Sequence, residues 1–179
     1  MHRSTTALTR VALFAAVLAV SAYIRIPIGP VPLTLQSSAV LITGYCLGPL
    51  YGALATITYT AVGLAGLPVF ASGGGPVYVL SPTFGYIIGF SFCAMVTGFL
   101  AQLNRNGSLT TAYIIMTGSL AALYIPGILW LIAAMHWIAD VPAPVMTLLK
   151  AGLIAPLLGD ILTTIPAAYI AIRLRKRLR

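Results

Sequence analysis

The sequence predicts an all-α integral membrane protein with six transmembrane helices, and three observations carry that prediction. Hydrophobic residues are 60% of the 179-residue chain and charged residues 7%, too few polar groups to cover a water-soluble globule, in which charged residues are about 25%. The charges are also segregated. No Asp, Glu, Lys or Arg occurs between Arg25 and Arg105, or between Arg105 and Asp140, and a spanning helix needs only about 20 apolar residues. Runs such as Val11 to Val20 and Ile125 to Met135 are continuously apolar rather than alternating, which argues for helices over a transmembrane barrel. The excess of apolar area also excludes a disordered chain. The length suits a single membrane domain, 1–179.

The elements follow from the positions of Gly and Pro. Helix 1 is predicted over residues 5–24. Arg3 and Arg10 before an apolar run ending Val20-Ser21-Ala22 look like a signal peptide, but the rest of the chain is membrane-embedded on either reading, and a retained first helix is expected. The stretch from Arg25 to Pro32 holds three prolines and cannot be regular helix. The second helix, 34–47, ends at Gly48-Pro49, and the third covers 50–65; both are short for a full crossing. Gly66-Leu67-Pro68, Ser72-Gly73-Gly74-Gly75-Pro76 and Ser81-Pro82 mark an apolar but irregular loop. The fourth helix, 83–103, stops at Asn104-Arg105-Asn106-Gly107. The fifth covers 109–135 with a bend at Pro126, and a loop spans 136–144. The sixth covers 145–173, bent at Pro156 and Pro166. No internal repeat of the kind that builds inverted-repeat transporters is present.

Six spans place Arg3, Arg10, Arg105 and the tail Arg173, Arg175, Lys176, Arg177, Arg179 on one face, which is eight of the ten basic residues. The positive-inside rule makes that face cytoplasmic, with both termini on it. A basic tail directly after a span serves topology and lipid headgroups rather than nucleic acid. The loops at 26–33, 66–82 and 136–144 then face outward. Irregular backbone at membrane level survives only where protein buries it or it lines a cavity, so these loops are expected to cap an outward-opening pocket.

Asp160 is the sharpest candidate for chemistry. A carboxylate in mid-span costs about 2.5–3.5 kcal/mol to insert and is expected to face the bundle and bind something. Thr163 and Thr164, three and four residues on, share its face. Lys150 is about 15 Å higher on the same helix and on another face. It has two readings, snorkelling to the outer interface or contact with a ligand carboxylate, and Arg25 has the same two. Gln36 and Thr34 open helix 2 just after the proline-rich loop. An amide both donates and accepts, which suits an amide-like ligand; capping by Thr34 and a helix–helix bond by Gln36 are the alternative. Gly73 and Gly74 permit close approach of backbone to a ligand or form a flexible turn. Thr83 and Tyr86, three apart, can face one pocket. Ala12 and Ala16, like Ala15 and Ala19, form small-residue faces that pack inside the bundle or against a partner.

Enzyme readings have less support. There is no P-loop and no HExxH. Asp140 belongs to an outer loop, far from Asp160 for a protease dyad, and a Ser91–His136 pair rests on a very weak motif. Cys46 and Cys93 lack CxxC or Cys/His spacing, so they read as packing residues, with no metal site and no disulfide. No cofactor is expected.

Several motifs together resemble the BioY family, the biotin-specific substrate-binding (S) components of energy-coupling-factor (ECF) transporters. Val31-Pro32-Leu33-Thr34-Leu35-Gln36 resembles its VPxTxQ segment. Gly66-Leu67-Pro68-Val69-Phe70-Ala71 with the glycines after it, and Ser81-Pro82-Thr83-Phe84-Gly85-Tyr86, resemble GLPVFAGGxGG and GPTGGYLxGF. Gly48-Pro49 matches a helix corner and Gly159-Asp160 a PGD motif. The resemblance implies a six-helix S-component fold and an outward-facing biotin site. It also implies docking of the Ala12/Ala16 face on a membrane-embedded coupling subunit that works with ATP-binding subunits. The implied setting is a bacterial inner membrane, and the implied activity is biotin uptake without chemical change. Other small vitamins, or an intramembrane hydrolase, are the alternatives. The chain departs from the family at Thr163, where a lysine of a DxxK pair is expected, at Ser81 and Phe84 in place of glycines, and at Pro76 in the glycine run.

Overall fold

The computed structural model describes residues 2–26, 31–104, 106–138 and 144–178. Residues 27–30 of the proline-rich loop, Arg105, Asp140 and most of the 136–144 loop lie outside the described residues. Among those described, five helical segments are long and apolar enough to cross a membrane: Thr5–Tyr23, Gln36–Leu64, Phe84–Leu103, Leu109–Ile138 and Val145–Leu178.

Helix α1 (His2–Tyr23) buries Val11, Phe14, Ala15, Leu18 and Ala22. That 3–4 spacing forms one stripe against the bundle. Ala12 and Ala16 fall off the stripe and are exposed, together with Leu13 and Val17. After α1 the chain turns through strand β1 (Arg25–Ile26), which pairs antiparallel with β2 (Leu33–Thr34), Arg25 opposite Thr34. This pairing corrects the expected start of the second helix. Thr34 is held extended, so α2 begins at Gln36 and ends at Leu64.

The predicted pair 34–47 and 50–65 is α2 (Gln36–Leu64), broken at Gly48, whose φ of 82° and ψ of 179° are non-helical. The break reverses the chain. A Cβ on Gly52 would lie 3.0 Å from the Cα of Gly44, and Gln36 Nε2 donates to Tyr59 Oη at 2.7 Å. A continuous helix would set residues 36 and 59 about 34 Å apart. Residues 36–47 and 49–64 therefore stand side by side, roughly 18 and 24 Å long. Glycine permits both the turn and the contact.

The loop after α2 is tied down at several points. Phe70 and Gly73 form a backbone bridge, Gly75 N donates to Gly63 O at 2.8 Å, and the Phe70 ring occupies the space over Gly63 where a side chain would stand. Pro76–Leu80 is a 3₁₀ turn rather than irregular. Tyr23 Oη donates to Pro68 O, fastening α1 to this loop. Helix α3 (Phe84–Leu100), extended by a 3₁₀ turn through Leu103, is the central element and packs on α2 and on α4 (Leu109–Ala133). Its glycines face neighbouring backbone, Gly89 meeting Leu123 O of α4.

The last span is more irregular and longer than expected. Helix α5 (Val145–Leu149) runs through a π turn, Lys150–Ile154, into α6 (Ala155–Leu178), ending beyond the expected 173. Pro156 has no N–H for the carbonyl of Gly152. Tyr86 Oη of α3 donates to that carbonyl instead, at 2.8 Å. A second π turn, Ala134–Ile138, carries α4 past its expected end at 135. Arg10, the corner at Gly48-Pro49, Gln102 and Arg175 gather around one cavity, so the start of α1, the corner of α2 and the ends of α3 and α6 share a face.

Candidate functional site

At the opposite end a cavity of about 50 Å³ lies between α2, α3, α4 and α6. Asp160 forms its polar floor and is 4% exposed. It reaches the cavity because Gly159 keeps α6 close to β2; a side chain there would meet Leu33. Tyr124 Oη donates to Asp160 Oδ2 at 2.7 Å, and Ser37 lines the same cavity. The insertion cost of the charge is thus partly offset by a fixed donor, with lone pairs left for others. Thr164 Oγ1 and Thr163 Oγ1 both donate to the Asp160 backbone carbonyl, at 2.7 and 3.2 Å.

The wall is mixed. Gln36 enters from the start of α2 with Nε2 spent on Tyr59, whose hydroxyl donates on to Val69 O at 3.1 Å. Its side-chain oxygen is left to accept, and Gln36 lines the cavity. Thr34 Oγ1 accepts from Gln36 N at 3.3 Å. Thr83 sits in a hydroxyl cluster with Tyr78 (3.2 Å) and Ser81 (3.0 Å), and Trp130 Nε1 holds the Ser81 carbonyl at 2.9 Å. Tyr86 offers its ring, since its hydroxyl is spent on Gly152, and stands edge-on to Tyr124 at 6.0 Å. Phe90, Leu123 and Pro156 complete the apolar part. Such a cavity can grip a compact apolar body through a few hydrogen bonds.

Of the predicted site residues, the structure brings Asp160, Gln36, Thr34, Thr83 and Tyr86 to this cavity. Gly73 and Gly74 are not on its wall: Gly73 (φ 121°) bridges Phe70, and Gly74 abuts the Leu67 carbonyl. Thr163 accepts from Ser38 Oγ at 2.9 Å, outside the wall, and Lys150 is exposed at the head of the π turn. Arg25 is exposed and directly opposite Thr34 in the strand pair. Ser91 and His136 have separate partners, Thr56 and the Ile132 carbonyl. Sequence reasoning missed Tyr124, Ser37 and Tyr78. Among nine tyrosines nothing local singles out the one that meets Asp160, 36 residues away.

Fold and cavity define a helical membrane protein with a small-molecule-like site between its spans. The chain belongs to the BioY family, whose model matches residues 1–179. It is 36% identical to the probable biotin transporter BioY of Lysinibacillus sphaericus, over 99% of this chain and 91% of that protein. It is also 36% identical to the biotin transporter BioY of Thermotoga maritima, over 94% and 95%. Among solved structures it is similar to the S-component for biotin from an ECF-type ABC transporter, with a TM-score of 0.83, 28% identity, and coverage of 98% of this chain and 93% of that one. Family membership makes the chain a transport component rather than an enzyme.

Proposed function

We propose that this chain is the biotin-binding subunit of an ECF-type uptake system, resident in the bacterial cytoplasmic membrane with both termini cytoplasmic. The observation that carries the reading is the convergence of Asp160, Gln36 and Thr34 on one largely apolar cavity in a chain of this family. The fused ureido–thiophane ring of biotin offers two N–H donors and one carbonyl. Asp160 accepts from the N–H groups, and the apolar wall of Phe90, Leu123 and Tyr86 receives the ring. The cavity of about 50 Å³ has room for roughly three to five waters, so admission of the vitamin requires the residues of β2 and the 66–83 loop to move outward.

This orientation rests on six crossings, one more than the five helical segments long and apolar enough to span. The hairpin of α2 contributes two, so Arg10 and the basic tail meet on one face while Thr34 and the loop face the other side. Arg25 is the better candidate for the carboxylate tail of biotin. Directly paired residues of an antiparallel ladder project side chains to the same face, and its partner Thr34 lines the cavity. Lys150 reads as an interface anchor. Gly73 and Gly74 serve the loop fold rather than direct ligand contact, and Thr163 positions the helix beside Ser38. The exposed Ala12/Ala16 face docks on a coupling membrane subunit, and ATP-binding subunits supply the energy.

Saturable binding of radiolabelled biotin by the purified protein, undiminished by a hundredfold excess of other vitamins, is the expected result. Failure to bind biotin, with saturable binding of another vitamin, would reassign the substrate.

A further inference from the structure

The cytoplasmic-side cavity is unlike the candidate site. It holds about 370 Å³ between the start of α1, the corner of α2 and the ends of α3 and α6. Two guanidinium groups line it, Arg10 and Arg175, with Gln102 beside them. Arg175 Nη1 donates to the Ala101 carbonyl at 2.7 Å, and its charge lies 5.1 Å from the Tyr45 ring centre, which fixes it in place with other N–H groups to spare. Tyr45 is 1% exposed, and its hydroxyl accepts from Asn104 at 2.8 Å. Among the described residues the proton of that buried hydroxyl finds no acceptor. The N-terminus of residues 49–64 starts at the same wall, at Gly48-Pro49, and adds the positive end of a helix dipole.

Among the described residues no carboxylate lines this cavity. The sequence has two Asp and no Glu against ten Lys and Arg. Asp160 is buried at the other cavity, 15 residues and roughly 22 Å along α6 from Arg175. Asp140 lies between α4 and α5 in sequence, outside the described residues. An anion for Arg10 and Arg175 therefore comes from outside. Its level in the membrane says which. Arg10 and Arg25 bracket 14 uncharged residues of α1 and the turn after it, roughly 21 Å of helix, less than the roughly 30 Å hydrocarbon core, so the long Arg10 side chain reaches toward the headgroup phosphates by snorkelling. Leu47 and Leu178 give the cavity an apolar rim, suited to acyl chains.

We propose that this cavity is a binding site for the phosphate of an anionic phospholipid, held by Arg10 and Arg175 with Tyr45 as a buried donor. The bound lipid neutralises the charge between α1 and α6 and ties the N-terminal helix to the basic tail. Basic pockets between spans on the cytoplasmic side are suited to such headgroups.

Native mass spectrometry of delipidated protein, titrated with phosphatidylglycerol or phosphatidylcholine, tests the assignment. One phosphatidylglycerol per chain should bind saturably, at least tenfold tighter than phosphatidylcholine. Arg10→Gln and Arg175→Gln should each weaken it about fivefold and together about twentyfold, while Arg177→Gln, off the wall, changes it less than twofold. Arg175 also holds the Ala101 carbonyl, so Arg10→Gln carries the test if Arg175→Gln lowers the melting temperature. Glycerol 3-phosphate at millimolar concentration should not displace the lipid; full displacement would mark a soluble-phosphate site and overturn the proposal. So would equal binding of the two lipids, or unchanged phosphatidylglycerol affinity in folded Arg10→Gln. If wild type shows no lipid preference and Arg10→Gln blocks only assembly with partner subunits, the cavity belongs to a protein contact and the lipid assignment falls.

Discussion

Asp160 is the residue whose removal tests the site most directly. It accepts from Tyr124 at 2.7 Å while almost fully buried. Asp160→Asn keeps the shape and one acceptor but loses the charge, and hydrogen bonds to charged groups contribute about 1.5–3 kcal/mol. Biotin affinity should therefore fall about 12- to 160-fold. Asp160→Ala should bind at least as weakly and also lose stability, because the buried Tyr124 hydroxyl loses its acceptor, at about 1–3 kcal/mol. Tyr124→Phe leaves the carboxylate in place and removes the donor that orients it. The expected loss is about 0.5–1.5 kcal/mol, roughly 2- to 12-fold. In the Asp160→Asn background the same change should add less than about 0.5 kcal/mol, since the two residues act as one unit. Isothermal titration in lipid nanodiscs reads the affinities, and a thermal melt of each variant separates folding from binding. An Asp160→Ala protein that melts near wild type and binds biotin with unchanged affinity would show the carboxylate to be structural and refute the site.

Three further outcomes follow from the geometry. Gly48→Ala places a Cβ in a backbone conformation open essentially to glycine, so thermal or urea unfolding should register a loss of about 1–3 kcal/mol, with the fold retained. Ala12→Trp and Ala16→Trp add bulk to an exposed face and should reduce cellular uptake while leaving biotin affinity within twofold; Ala15→Trp, on the buried stripe, should instead lower the melting temperature. Arg25→Ala should weaken biotin about two- to fivefold, the scale of an exposed ion pair, and leave biotin amide unaffected, whereas Lys150→Ala should not distinguish the two ligands; titration of both ligands against both variants decides which cation faces the tail.

What was legible in the sequence was whatever membrane physics makes expensive. A lone carboxylate in an apolar span announces itself, and Asp160 is on the cavity wall. Proline and glycine announce where helices stop, and Gly48-Pro49 is the corner of the α2 hairpin. Features that depend on partners distant in sequence left no local mark. The pairing of Arg25 with Thr34 involves only two residues per strand, too few for an alternating pattern. The π turn at Lys150–Ile154 looks in sequence like ordinary helix. Gly73 and Gly74 show why a glycine run is ambiguous: close approach of backbone is what these residues allow, but the group approached is the loop's own chain, at Phe70 and Leu67.

The proline-bent last span links these two kinds of feature. Pro156 leaves the Gly152 carbonyl without its helical donor in a region with little water, where an unsatisfied polar group costs several kcal/mol. Tyr86 supplies the missing donor from α3, and the same ring lines the cavity four residues N-terminal to Phe90. One turn after the proline, Asp160 points into that cavity and is held by Tyr124, which itself stands edge-on to Tyr86. The π turn and the cavity-facing carboxylate therefore share one set of aromatic supports. The π turn thus enters α6 about one turn before Asp160, and the same helix runs on to Arg175 at the arginine-lined cavity of the other end.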